Sequence, residues 1–211
     1  MALRAFNLME ERNRENSNNM TKPDEELMTD YRMGNIDALE ELFQRYKKRL
    51  LNYALRLLGN LADAEDVVGE AFYAVTAQKD KYEVRAKFST WLYTIAHNSC
   101  VDRIRKRRKI VFLWFKKEAE DSEYEELEIP DTKYSPDAEA QDNERAAIVK
   151  KAIEKLPYEY REAVILREYQ QLNYEEIAGI LNCSLAKVKV LIFRGREKLR
   201  KELMLVMGEL R

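Results

Sequence analysis

The sequence predicts an all-α protein: two small helical domains joined by a flexible acidic linker, the second domain a helix-turn-helix. Three observations predict this. Apolar residues recur at helical spacing through most of the long segments. Glycine and proline are scarce, at six and four among 211 residues, so few points interrupt a helix. Between Glu118 and Glu144 acids far outnumber bases, with Pro130 and Pro136 as breakers, which is the composition of a linker. A chain that is 45% hydrophobic and 36% charged suits a folded globular protein.

In order, Met1 to Lys22 is polar, Asn-rich and aperiodic, and reads as a disordered tail. A first domain then spans residues 23–115. Its opening helix runs from Asp24 toward Gly34, and Asn35 or Asp37 caps a second helix that ends at Gly59-Asn60. The apolar stripe of this second helix takes in Ile36, Leu39, Leu42, Phe43, Tyr46, Leu50, Tyr53, Ala54 and Leu57. A third helix, from about Ala62 to Gln78, turns Ala64, Val67, Val68, Ala71, Phe72 and Val75 inward. It leaves Asp63, Glu65, Asp66, Glu70 and Tyr73 outward. Spacing alone leaves that acidic face either solubilising or binding.

Lys79 to Lys87 is a polar, basic loop with Tyr82 and Arg85. It leads into FSTWLYTIAHNSCVDRIRKRRK, Phe88 to Lys109, with Ser89 and Thr90 able to cap the helix and Leu92, Ile95, Ala96 and Ser99 facing a core. Trp91, Asn98 and Asp102 share an adjacent stripe, and the helix ends in Arg103, Arg105, Lys106, Arg107, Arg108 and Lys109. The basic end suits phosphate, and the ring and amide suit bases; a solvated basic face with Trp91 as packing is the plainer alternative. Ile110 to Phe115, IVFLWF, either extends this helix, caps the domain or meets a partner.

Past the linker, residues 116–136, a second domain spans 137–211. A helix from Asp137 to Leu156 stops before Pro157, which opens the next. Asn173 caps a further helix with Glu176 in capping-box position, Asn182-Cys183 turns the chain, and Ser184 caps the last helix. Two helices joined by so short a turn form a helix-turn-helix, whose second helix enters the major groove. That helix carries Lys187, Lys189, Arg194, Arg196, Lys198, Arg200 and Lys201 against Glu197 and Glu202, with Val190 and Phe193 among them. Cations around a whole helix fit DNA better than packing.

Several function classes fall away. The net charge of −1 is an average of basic, acidic and basic blocks, so it does not exclude nucleic acid. Cys100 and Cys183 lie far apart and His97 is the only histidine, so neither a zinc site nor a disulfide is expected, and no cofactor. His97 and Asp102 are poorly spaced for a catalytic pair, and no enzyme is predicted. No apolar run is long enough to span a bilayer, and Met1 to Met20 lacks the apolar core of a signal peptide. The expected location is the cytoplasm.

Three motifs in fixed order carry a resemblance: DAEDVVGEAF at Asp63 to Phe72, FSTWLYTIAHNSCVDRIRKRR at Phe88 to Arg108, and the helix-turn-helix from Leu172. Together they resemble the group IV, extracytoplasmic-function (ECF) sigma factors of bacterial RNA polymerase, over roughly Asp24 to Leu203. The resemblance implies a specificity subunit that binds core polymerase, recognises −35 and −10 promoter elements and helps melt the promoter. It places Asp63, Glu65, Asp66 and Glu70 on the β′ clamp helices, with the β flap as a further contact. It assigns the melted −10 element to Tyr82, Arg85, Lys87, Trp91, Asn98, Asp102 and Arg105, with Tyr82 and Asn98 lining a pocket for a flipped base. It gives the −35 duplex to Lys187, Lys189, Val190, Phe193, Arg194 and Arg196. An anti-sigma factor is a further implied partner.

This chain departs from the family pattern at Gly69, where Gln is usual, and at Ala186-Lys187 and Val190-Leu191, where Gly-Thr and Ser-Arg are common. Apolar readers favour a thymine methyl over hydrogen bonds to a purine edge. A stand-alone helix-turn-helix regulator is the rival reading, and it leaves the first domain without a task.

Overall fold

The computed structural model describes residues 22–82, 87–118 and 140–209, all of it helix, turn or loop. α1 is Asp24–Arg32, α2 Ile36–Leu58, α3 Leu61–Ala77 and α4 Phe88–Glu118, with one 3₁₀ turn at Lys79–Lys81. After the linker come α5 Ala140–Glu154, α6 Tyr158–Val164, a π-helical turn Ile165–Tyr169, α7 Tyr174–Ile180 and α8 Leu185–Glu209. The tail before Lys22, the loop residue Arg85 and most of the acidic linker lie outside the described residues.

Local chemistry sets most of these boundaries. The Asn35 side chain accepts from the Asp37 amide at the start of α2, and Gly59 closes that helix at φ 68°, its N–H bonded to Leu55 O at 2.9 Å. Asn60 then caps α3 through the Asp63 amide. Both halves of the Asn173–Glu176 capping box form at α7, at 2.7 and 2.8 Å, and Ser184 Oγ accepts from the Lys187 amide at the head of α8. Asn182 makes the intervening turn at φ 46°, a conformation asparagine tolerates well.

One expected cap is replaced. Ser89 and Thr90 lie inside α4 rather than ahead of it, and the Phe88 amide donates instead to Glu25 Oε1 of α1 at 3.1 Å. A carboxylate at a helix N-terminus satisfies a free N–H and complements the helix dipole, so α1 fixes where α4 begins.

The predicted inward faces of α2 and α3 are buried, from Leu42 to Leu57 and from Ala64 to Val75. Within the α2 stripe Ile36, the first residue of the helix, is exposed, and Leu39 and Phe43 are half-buried. Tyr46 meets Phe88 edge-on at 5.6 Å, and Phe43 meets Phe72 at 4.9 Å, tying α2 to both neighbours. The backbone of Ile110 to Phe115 continues α4, the first of the roles open to that segment.

Buried residues of α1 to α4 and of α5 to α8 form one continuous apolar cluster, so the helix-turn-helix packs on the first four helices. α7 lies against α4, and the π-helical turn lies against α2. Two backbone bonds wider than the α-helical step shape that turn, Gln170 N–H to Ile165 O and Leu172 N–H to Leu166 O, both 3.2 Å.

Candidate nucleic-acid interface

The start of α4 gathers three aromatic rings. Tyr82 is 3% exposed; its ring lies 5.2 Å from Trp91 and 6.2 Å from Phe88, and its carbonyl accepts from Arg32. Burial pushes its hydroxyl up to about 12, so it stays protonated at any physiological pH. Trp91 is half-buried, whereas Asn98, two turns further along the same stripe, is exposed, as are Asp102 and Arg105. Asp102 and Arg105 form a loose exposed pair at 4.0 Å. The structure thus brings Tyr82 to Trp91 and sets Asn98 further along the helix, with its amide open to solvent. Lys87 reaches the helix-turn-helix, its Nζ 2.7 Å from Glu176 Oε1.

The acidic face of α3 is not a uniform solvated surface. Both terminal nitrogens of Arg103 bond Glu70 at 2.8 Å, Ser99 donates to the same carboxylate, and Asp66 stands 3.7 Å away. The Arg103 guanidinium holds the Glu70 carboxyl down to about 2. Arg107 pairs with Asp63 and donates to Leu58 O at 3.0 Å. Glu65 and Tyr73 remain exposed.

On α8, Val188, Leu191 and Ile192 are buried, and Lys187, Lys189, Val190, Phe193, Arg194 and Arg196 are exposed. Phe193 is 63% exposed and Val190, one turn earlier, 46%, two apolar side chains on an otherwise cationic face. Glu168 of the π-helical turn holds Arg196 at 2.6 Å, and Glu159 stands 3.9 Å from Lys187. The apolar and cationic residues on this face are the two kinds of group that read a thymine methyl and a phosphate.

The sequence pattern did not reveal the polar seam between the two halves. Glu162, 2% exposed, accepts from Tyr53 Oη at 2.6 Å and sits 2.6 Å from His97 Nδ1. Gln170, 3% exposed, accepts from Tyr93 Oη at 2.5 Å through its side chain and from Arg49 at 3.0 Å through its carbonyl. Arg56 lies over the Tyr169 ring at 3.9 Å. His97, the lone histidine, therefore pairs across the seam with Glu162 and not with Asp102. Among the described residues no group of His, Cys, Asp or Glu could hold a metal ion, and no helix is long and apolar enough to cross a membrane.

The Sigma-70 region 2 family model matches residues 42–110, and the Sigma-70 region 4 model matches residues 146–199. The ECF RNA polymerase sigma factor SigW of Bacillus subtilis is 36% identical over 178 residues, covering 81% of this chain and 91% of that relative. RNA polymerase sigma factor YlaC of the same organism is 31% identical over 172 residues, with coverage of 81% and 95%. The solved structure of the sigma factor RpoE in complex with the anti-sigma factor NepR, from Bartonella quintana, matches at a TM-score of 0.57 and 26% identity over 78% of this chain and 98% of that one. With region 2 and region 4 in order on one chain, and relatives matched over nearly their whole length, this protein belongs to the ECF sigma factors of the sigma-70 family.

Proposed function

We propose that this ECF sigma factor directs promoter-specific initiation with two DNA-reading surfaces, α4 for a melted −10 element and the exposed face of α8 for a −35 duplex. What carries the reading is their pairing on one chain: an exposed amide, Asn98, two turns along α4 from an aromatic cluster, and a separate helix-turn-helix whose outer face mixes Val190 and Phe193 with cations. Opening duplex DNA costs about 1–2 kcal/mol per base-pair step. Stacking a displaced base on an aromatic ring returns about 1–3 kcal/mol, and an amide adds hydrogen-bond selectivity.

In this reading residues 23–115 and 137–211 act as two domains, and Asp63, Glu65, Asp66 and Glu70 form the side that meets the polymerase clamp. Tyr82, Arg85, Lys87, Trp91, Asn98, Asp102 and Arg105 serve the −10 strand. Lys187, Lys189, Val190, Phe193, Arg194 and Arg196 serve the −35 duplex. The protein works in the cytoplasm as an initiation factor with no catalysis of its own. The anti-sigma factor bound to the Bartonella relative supports a protein inhibitor for this chain as well.

A co-purification and footprinting experiment tests this. Mixed with sigma-free core polymerase, the protein should elute with core, and the complex should protect two upstream elements on promoter DNA. Tight duplex binding without core, and no association with core, would support the stand-alone regulator instead.

A further inference from the structure

No residue of α1 is among those expected to meet polymerase or DNA, yet one face of this short helix holds both ends of the join that leads into α4. That face presents Glu25, Met28 and Arg32 on successive turns, with Met28 buried in the middle. Groups of opposite charge stand on either side of it, and each meets the backbone group that suits it. The Glu25 carboxylate accepts from the Phe88 amide at 3.1 Å, at the positive end of α4, and the Arg32 guanidinium donates to the Tyr82 carbonyl at 3.4 Å. The 3₁₀ turn before Tyr82 also packs on α1, with Lys79 Nζ over the Tyr31 ring at 5.4 Å.

α1 is a fixed support because it is locked to α2. Asp24 pairs with Arg45 and accepts from Tyr46, and Leu27 is buried beside Met28. What this support sets is the place of Tyr82 relative to the first turn of α4. The Tyr82 and Trp91 rings lie 5.2 Å apart, one from each side of the join, and Asn98 stands two turns beyond Trp91 on the same stripe. Lys87, the residue before α4, has no side-chain oxygen with which to cap it. Without Glu25 the Phe88 amide loses its acceptor, and the turn that carries Trp91 frays.

Resting on the sigma-factor reading above, we propose that Glu25 and Arg32 are positioning residues for −10 recognition: from one face of α1 they hold Tyr82 and the start of α4 in the register that sets Trp91 and Asn98 against the displaced strand. A pocket assembled for only part of the time binds its base more weakly by that fraction. A mismatched base gains little from the pocket and so loses little. The support therefore sharpens discrimination as well as affinity.

Holoenzyme made from sigma-free core and the full-length protein tests this on two single-stranded oligonucleotides. One carries the −10 sequence that start-site mapping with the wild type defines, and the other has a single base of it changed; the readout is the ratio of the two affinities. Glu25→Ala should lower the ratio by about fivefold, with core affinity and −35 duplex binding kept. Glu25→Gln, whose side-chain oxygen still accepts from the Phe88 amide, should stay within about twofold of the wild type. Arg32→Met keeps the stem and removes the donor of a longer bond, so it should lower the ratio by about twofold to threefold. It decides the matter if Glu25→Ala no longer binds core and so fails to fold. An unchanged ratio in a folded Glu25→Ala, or in Arg32→Met where that variant decides, would overturn the proposal. So would an equal loss on both oligonucleotides, or a Glu25→Gln as poor as Glu25→Ala. A wild type that maps no start sites would remove the sigma reading and this proposal with it, whereas an unchanged ratio in the variants leaves the sigma reading intact.

Discussion

Glu70 on α3 and Arg103 on α4 form a two-pronged ion pair, both guanidinium nitrogens 2.8 Å from the carboxylate. The acidic helix and the basic helix therefore neutralise each other in part, and the acidic residues are unequal. Glu70 and Asp63 are held closely by Arg103 and Arg107, whereas Asp66 is mostly exposed and only 3.7 Å from Arg103, and Glu65 projects from the same face. Polymerase docking should draw first on the latter two. Asp66→Ala should weaken core binding by several-fold with no change in melting temperature, checked by competition binding and calorimetry.

Glu70 instead contributes to stability in a pH-dependent way. Its folded carboxyl is held at about 2 by Arg103, below the ordinary carboxylate value of 4.5. The contribution is thus present above that ordinary value and lost as pH falls toward 2. The Glu70 side chain is more than half exposed, so Glu70→Gln should cost no more than about 1 kcal/mol at pH 7, and the difference from wild type should vanish in acid. Urea unfolding across pH 2–7 measures this.

Gly195 lets α8 pack closely on α6: an added Cβ would stand 2.7 Å from Val164 Cγ2 and 3.3 Å from the Tyr160 carbonyl. The backbone oxygen cannot step aside as a side chain can. Gly195→Ala should destabilise by about 1–3 kcal/mol, several degrees in melting temperature for a chain of this size.

The exposed ring of Phe193 and the cations around it should separate specificity from affinity. Lys189→Ala should weaken binding to all −35 sequences alike and reduce the slope of log affinity against log salt by about one. Phe193→Ala should cost most on sites with thymine at one position. Fluorescence titrations on a panel of duplexes distinguish the two patterns.

Much of this was legible in the residues because it rests on local chemistry. The Asn173–Glu176 box, the Ser184 cap and the αL glycine at 59 are decided within one turn of chain, and all form as their sequence predicts. The inward stripes of α2 and α3 follow from period alone. Partners distant in sequence are a different matter. Nothing near Phe88 announces that Glu25 caps it, and Glu162, one residue before an apolar pair, has the look of a solvated acid. Its burial depends on Tyr53 and His97, which sit 109 and 65 residues away. The acidic face reads as outward from its spacing, and its backbone position supports that; its pairing with Arg103 and Arg107 depends on the packing of α3 on α4.

Asn98 lies exposed on the helix proposed to capture the melted strand, so its amide is available to a flipped base. Asn98→Ala should slow open-complex formation by about fivefold to a hundredfold, the range of 1–3 kcal/mol, with core affinity unchanged. Permanganate reactivity of unpaired thymines follows this step; loss of core binding in its place would make Asn98 a structural residue.

The most direct test of the whole account is transcription from fragmented genomic DNA of the source organism, using sigma-free core polymerase with and without this protein and mapping every 5′ end. New, discrete starts that share two upstream elements are expected, and the same starts at reduced yield with Asn98→Ala. Unchanged starts, with the protein bound to duplex DNA on its own, would contradict it.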